Sequence, residues 1–159
     1  YCGLLKSIAH YEQSLTEISA KHTECKKLLK LEGVSTINAV NLYIALGCQP
    51  EIFTKGKDAS ACIGLTPIQH SSGGKVKLGS IGKHVKNSML RSNLVVGAMS
   101  AINRIVNREA VTKKEAWIQA LVARRGKRCA AVALANKTVR TAFAMLTQGT
   151  EYKAELLTA

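Results

Sequence analysis

Aromatic rings, aspartate and proline are all scarce in this chain. Phe, Trp and Tyr make up 4% of 159 residues, too few for a surface that reads nucleic acid by stacking bases, so any such contact runs through phosphates and weakens with salt. Asp58 is the only aspartate, and the glutamates are scattered, with Glu12, Glu17 and Glu24 on one predicted helix as a solvated face. Magnesium needs converging carboxylates, so no metal site is expected. Cys2, Cys25, Cys48, Cys62 and Cys129 are odd in number and widely spaced, with no C-x-x-C pair. That suggests neither a zinc site nor a disulfide framework and fits a reducing cytoplasm. No apolar run is long enough to span a bilayer and no leader pattern opens the chain, so no membrane partner is expected. The first residue is Tyr1 rather than Met, and the chain reads as a soluble piece of a longer protein.

What the chain does hold is positive charge in one place. Residues 71–140 carry 15 Lys and Arg against Glu109 and Glu115, whereas residues 1–70 carry seven against six acids. An excess this confined is a patch, and its natural partner is a polyanion. At 47% hydrophobic content the chain buries a core, and its length suits one domain plus an extended element.

Leu4, Ile8, Tyr11, Leu15, Ile18, His22, Cys25 and Leu29 alternate in spacings of four and three, a heptad seam on a helix over residues 2–31. The seam wants a partner helix, either a second copy or another helix of this chain. His22 reads as a packing position within it. Glu32-Gly33-Val34-Ser35-Thr36 then breaks the helix, Ser35 or Thr36 caps the next one, and that helix runs to Gly47. The outline is that of a helix-hairpin-helix, with Ser35 where a second phosphate-approaching glycine would stand. Asp58-Ala59-Ser60 can cap a short helix, and residues 68–86, rich in glycine and lysine, lack helical periodicity and read as a mobile loop. An amphipathic helix follows through Leu90, Leu94, Ala98, Ile102 and Ile105. Thr112-Lys113-Lys114-Glu115 is a capping box for a helix ending near Gly126, and a last helix runs from about Lys127 to Gly149. No strand is expected. The fold class is all-α: a long coiled-coil helix (1–31) ahead of a compact helical domain (32–159) with a hairpin-like turn and a basic Gly/Ser/Lys loop.

Gly64-Leu65-Thr66-Pro67 and Ser71-Ser72-Gly73-Gly74-Lys75 put hydroxyls on a glycine-flanked segment at the edge of the basic region. By itself a Ser-Gly pair signals a turn. Placed among cations, Ser72 is also a possible nucleophile toward a phosphate, with Ser71 as the alternative. His70 and His84 are possible bases, tied to Ser72 by no spacing.

The ordered set Gly64-Leu65-Thr66-Pro67, Ser72-Gly73, Lys83, Leu90-Arg91, Ala133-Leu134-Ala135-Asn136-Lys137, Arg140 and Gly149 resembles the C-terminal transposase domain of the insertion-sequence family called IS one-ten, which includes the Piv-type DNA invertases. The likeness covers residues 28–152, and the leading helix resembles the coiled coil joining this domain to a RuvC-like nuclease domain. Two stretches depart from the family pattern: Leu31–Ser35, where a glycine-rich entry is usual, and Ile81–Lys86, which lacks the glycine expected soon after Lys83. The resemblance implies that Ser72 is the nucleophile that joins covalently to a DNA phosphate. It also implies that magnesium is held by acidic residues of the RuvC-like domain, outside this chain, in a composite active site, and that a structured bridge RNA guides recombination. No cofactor is expected in the fragment, which alone would bind rather than cleave.

The leading expectation is thus a DNA transposase or recombinase domain in which Ser72 attacks a phosphate. Lys75, Lys77, Lys83, Lys86, Arg91, Arg124, Arg125, Lys127, Arg128, Lys137 and Arg140 hold nucleic acid, and the coiled coil makes a homo-oligomer. The rival is a non-catalytic dimeric module that binds DNA or RNA, and a third reading is a purely structural assembly domain.

Overall fold

The computed structural model describes residues 1–47, 50–81 and 87–157, with the backbone alone at Pro50 and Ser71. Its described residues are mainly helical. Helix α1 (Cys2–Lys21) is followed by α2 (Thr23–Leu28) and α3 (Thr36–Leu42), the last continuing as a π-helical turn (Tyr43–Gly47). A 3₁₀ turn (Pro50–Ile52) precedes α4 (Gly56–Cys62), the strands β1 (Pro67–Ser72) and β2 (Lys75–Ile81), and the long helices α5 (Ser88–Val106) and α6 (Lys113–Gln148). No helix among the described residues is long and apolar enough to cross a membrane.

The leading helix is not continuous. His22 leaves helical geometry (φ −105°, ψ 114°), and its ring packs 5.0 Å from that of Tyr43. The break turns α2 so that Cys25 and Leu28 are fully buried, while Leu29 stays 39% exposed. Upstream, Leu4, Leu5, Ile8 and Tyr11 are exposed. The seam therefore divides at His22, its second part feeding the domain core.

Ser35 caps α3, accepting from the Asn38 backbone N–H at 3.4 Å. In the preceding turn Gly33 has φ +79°, and a Cβ there would sit 2.7 Å from the Gly97 carbonyl oxygen. A Cβ on Gly97 would in turn lie 2.1 Å from the Gly33 carbonyl oxygen. Two glycines thus allow the turn and α5 to touch backbone to backbone, as only residues without side chains permit. Asn38 fixes the same junction by donating from Nδ2 to the Asn93 carbonyl, 3.2 Å.

Helix α5 packs along α6, and α4 crosses α6 on another side. Leu90, Leu94 and Ile102 meet Ile118, Leu134 and Val139 in the core, with Leu42, Leu46 and Leu65 closing it. Thr112 caps α6 by accepting from the Glu115 N–H, 3.1 Å. Glu115 reaches back to the Val111 N–H at 2.8 Å and pairs with Arg108. Within α6 the backbone breaks at Gly126 (φ 80°, ψ 164°), where the sequence places the boundary between two helices, and Gly149 (φ 65°) ends it.

The sheet is the main departure from an all-α fold. The loop expected over residues 68–86 is, as far as residue 81, part of an antiparallel hairpin of residues 67–81 with Ser72 opposite Lys75, Ser71 opposite Val76 and His70 opposite Lys77. Gly73 and Gly74 both have positive φ (58° and 76°), the requirement of the two-residue turn whose twist suits a hairpin. Strand alternation is a weak signal here because neither strand covers a core.

Asp58 lies in the first turn of α4 rather than at its cap, which is Lys55.

Candidate nucleic-acid interface

At the root of the hairpin, α4 ends in a Schellman arrangement. The Gly64 N–H donates to the Ala61 carbonyl at 2.9 Å and the Leu65 N–H to the Ser60 carbonyl at 3.0 Å, with Gly64 at φ +77°. Leu65 is 1% exposed. Its carbonyl accepts from Asn136 Nδ2 of α6 at 3.1 Å. Two motifs some 70 positions apart are therefore joined by one hydrogen bond at the point where β1 leaves the domain.

From that anchor the hairpin projects outward. Ser72 stands five residues beyond Pro67, about 17 Å at strand rise, and is exposed. Alternation and register put Ser72 on one face with His70, Lys75 and Lys77. The opposite face carries Val76 and Leu78, which are 60% and 68% exposed. The Ser72 hydroxyl thus lies among cationic side chains and outside the hydrophobic interior. These neighbours do not fit a magnesium ion: the hairpin holds no carboxylate, and no cluster of three or more His, Cys, Asp or Glu exists among the described residues.

Beside the hairpin root lies a groove of about 1460 Å³, walled by the start of α4, by Pro67 and Gly79–Ile81, and by the second half of α6. Of the residues expected to hold nucleic acid, Arg128, Lys137 and Arg140 line it, and Lys55 and Lys57 join them. The lining contains no Asp or Glu. Lys137 lies over the Trp117 ring, 4.6 Å from its centre. Gly56 lets α4 approach α6, where a Cβ would come within 3.3 Å of the Arg140 Cα.

The other expected contacts are dispersed. Lys75 and Lys77 are on the hairpin, and Arg91 is half-buried on the first turn of α5 and engaged there. Arg124, Arg125 and Lys127 surround the Gly126 break in exposed positions, with Lys127 donating to Asn103 at 3.0 Å. Lys83, Lys86 and His84 lie outside the described residues. Lys55 and Lys57 were missed by a reading of residues 71–140, because the groove is assembled from segments some 80 positions apart; the nearest signal in the sequence was the Lys-Gly-Lys run at 55–57.

Around the start and end of α6, cations are neutralised internally. Glu32 pairs with Lys114 and accepts from the Tyr152 hydroxyl at 2.8 Å. Burial pushes the Glu32 carboxyl up, but Lys114, a backbone hydrogen bond and Tyr152 pull it further down, and it titrates below the ordinary value. Burial and the facing Glu32 carboxylate push Tyr152 well above the usual phenol range. Lys30 pairs with Glu151 at 3.3 Å and Lys113 with Glu155 at 3.2 Å. None of the five groove cations is in an ion pair among the described residues.

A family model described as Transposase IS116/IS110/IS902 family matches residues 25–114, which include the hairpin and Ser72. The chain is similar to the transposase for insertion sequence element IS1111A of Coxiella burnetii, 36% identical over 148 residues, which are 93% of this chain and 40% of that protein. It is likewise similar to a putative transposase, y4pF/y4sB, of Sinorhizobium fredii, 40% identical over 153 residues (96% of this chain, 39% of that protein). A probable family 20 transposase of Pseudomonas aeruginosa is 33% identical over 146 residues (92% and 42%). The chain thus spans about two-fifths of the length of these curated relatives.

Proposed function

The chain belongs to the IS116/IS110/IS902 transposase family, and from that premise we propose that it is the part of a DNA transposase that supplies a serine nucleophile and a cationic surface for strand cleavage and exchange. The observation that carries the nucleophile is the exposed Ser72 beside a two-glycine turn, on one face with Lys75, Lys77 and His70. In the reaction, Ser72 Oγ attacks phosphorus and a serine–phosphate ester bond forms as one phosphodiester P–O bond breaks. The hydroxyl proton passes to a base, for which His70 shares the face, and the departing oxygen takes up a proton. Lys75 and Lys77 offset the charge on the phosphate.

Magnesium, in this reading, belongs to a RuvC-like domain outside this chain, and a structured bridge RNA guides the choice of site. The exposed Leu4, Ile8 and Tyr11 of α1 are taken as the contact of a coiled coil between copies. Chemistry then requires a complete protein, and the fragment alone binds nucleic acid in the reducing cytoplasm.

The test is to trap the covalent protein–DNA product in the full-length transposase and map the attachment. Linkage at Ser72, lost in Ser72→Ala with DNA binding retained, is the expected result. Linkage elsewhere, or undiminished strand exchange by Ser72→Ala, removes the serine assignment and leaves the non-catalytic binding module as the reading.

A further inference from the structure

We infer that the groove between α4, the hairpin root and the second half of α6 holds a single strand of nucleic acid, with phosphates on Lys55, Lys57, Arg128 and Arg140 and bases over an apolar floor beside Trp117. The inference rests on the transposase reading and adds a strand path that Ser72 and the hairpin tip do not define.

Size comes first. At about 1460 Å³ the groove exceeds the roughly 300–1,000 Å³ of a small-molecule pocket, so it suits a segment of polymer. Charge comes second: its cations face no acid in the lining, in contrast to Arg108, Lys113 and Lys114, which are already paired within the fold. Cations left without internal partners along one channel favour a chain of phosphates.

The floor separates one strand from two. Half-buried Ile81, Val132, Ala133 and Ala144 line the groove together with its cations and keep apolar surface open to it. A duplex presents phosphates, sugars and the edges of its bases, but keeps the base faces stacked inside and offers none of them to that apolar surface. A single strand has unstacked bases to cover it, with the backbone tracking the lysines and arginines. The walls are pre-set, since the Asn136 bond to Leu65 and the close approach of Gly56 to Arg140 fix α4 and the hairpin root to α6.

Trp117 is the only tryptophan and lines the groove beneath Lys137, so its emission reports occupancy directly. The experiment titrates the chain with a fluorescein-labelled 12-nucleotide oligo(dT), the matching oligo(U) and a 12-base-pair duplex, reading label anisotropy and Trp117 emission together. The expected result is Trp117 quenching by an oligonucleotide strand, at least tenfold weaker binding in Lys55→Ala/Lys57→Ala, and a log–log salt slope reduced by about 1.4 for two lost phosphate contacts on a single strand. Lys75→Ala/Lys77→Ala on the hairpin should leave the quenching amplitude unchanged. Whichever of oligo(dT) and oligo(U) binds more tightly identifies the strand as DNA or RNA.

Anisotropy change without Trp117 quenching, together with wild-type affinity in both Lys55→Ala/Lys57→Ala and Arg128→Ala, would overturn the groove assignment while leaving the transposase reading intact. Quenching by the duplex as strong as by either strand would overturn the single-strand claim. Absence of binding to all three probes would sink both readings. Lys55, Lys57 and Arg128 are exposed, and unchanged circular dichroism of the variants confirms that affinity, rather than folding, is being read.

Discussion

Along the hairpin every described side chain from Pro67 to Ser80 is exposed, whereas at its root Gly64 and Leu65 are buried and Asn136 reaches across from α6 to hold the Leu65 carbonyl. The resemblance motifs divide along the same line. Gly64 ends a helix, Leu65, Leu134 and Ala135 fill the core, and Asn136 pins the junction. Ser72 does nothing for folding, because its hydroxyl lies on an arm that touches little else. That division suits the nucleophile role proposed for Ser72: the scaffold sets direction, and the arm leaves the hydroxyl open.

The largest effect should come at the arm. Ser72→Ala is expected to reduce strand exchange by the full-length protein below detection while changing stability by less than about 0.5 kcal/mol, as surface substitutions usually do; parallel recombination assays and urea melts would check both halves. A loss of stability there would show that the arm is not independent of the scaffold.

Next is the scaffold itself. Gly97→Ala drives a methyl group into the Gly33 carbonyl, within 2.1 Å, and should lower the unfolding free energy by about 1–3 kcal/mol, the usual range for overpacking. Equilibrium unfolding in urea measures it. Wild-type stability would mean that α5 and the preceding turn do not meet as tightly as described.

Asn136→Ala leaves the Leu65 carbonyl without its donor and should cost about 1–3 kcal/mol. Because that bond aims the hairpin, the same variant should also lower strand exchange more than its stability loss explains, and activity measured well below the melting temperature separates the two.

The smallest effect concerns the internally paired cations. The Glu32 carboxyl titrates below its ordinary value in the fold, so its contribution is fully present above the unfolded value and is lost as pH falls through the folded one. Melting temperature should therefore fall on acidification below about pH 4.5. In Lys114→Met the main influences holding Glu32 down are gone while burial remains, so its folded value rises towards the unfolded one and the fall in melting temperature on acidification should shrink. Melts between pH 3 and 7 decide it, and identical profiles would show that the pair does not govern the titration.

Much of the helical fold was legible because its cues are local. The Ser35 cap, the Thr112 cap, the Gly126 break and the Gly149 terminus need only a few neighbouring residues to act. The hairpin was not legible through hydrophobic alternation, since its strands bury nothing; Gly73-Gly74 was its one local mark. The uninterrupted leading helix failed at His22, where burial of Cys25 and Leu28 and the contact with Tyr43 outweigh a regular heptad. Of the candidate site, Ser72 and the basic segment could be named from the sequence, but the groove could not, because Lys55 and Lys57 face Arg128 and Arg140 only after α4 crosses α6.

The linear order of residues by itself determined family, helix ends and the location of the charge excess, since each depends on composition or on contacts a few positions apart. Only the tertiary structure decided which cations remain without acid partners and which are silenced by Glu32, Glu115, Glu151 and Glu155. Coulomb attraction depends on separation in space, and chain folding alone sets those separations.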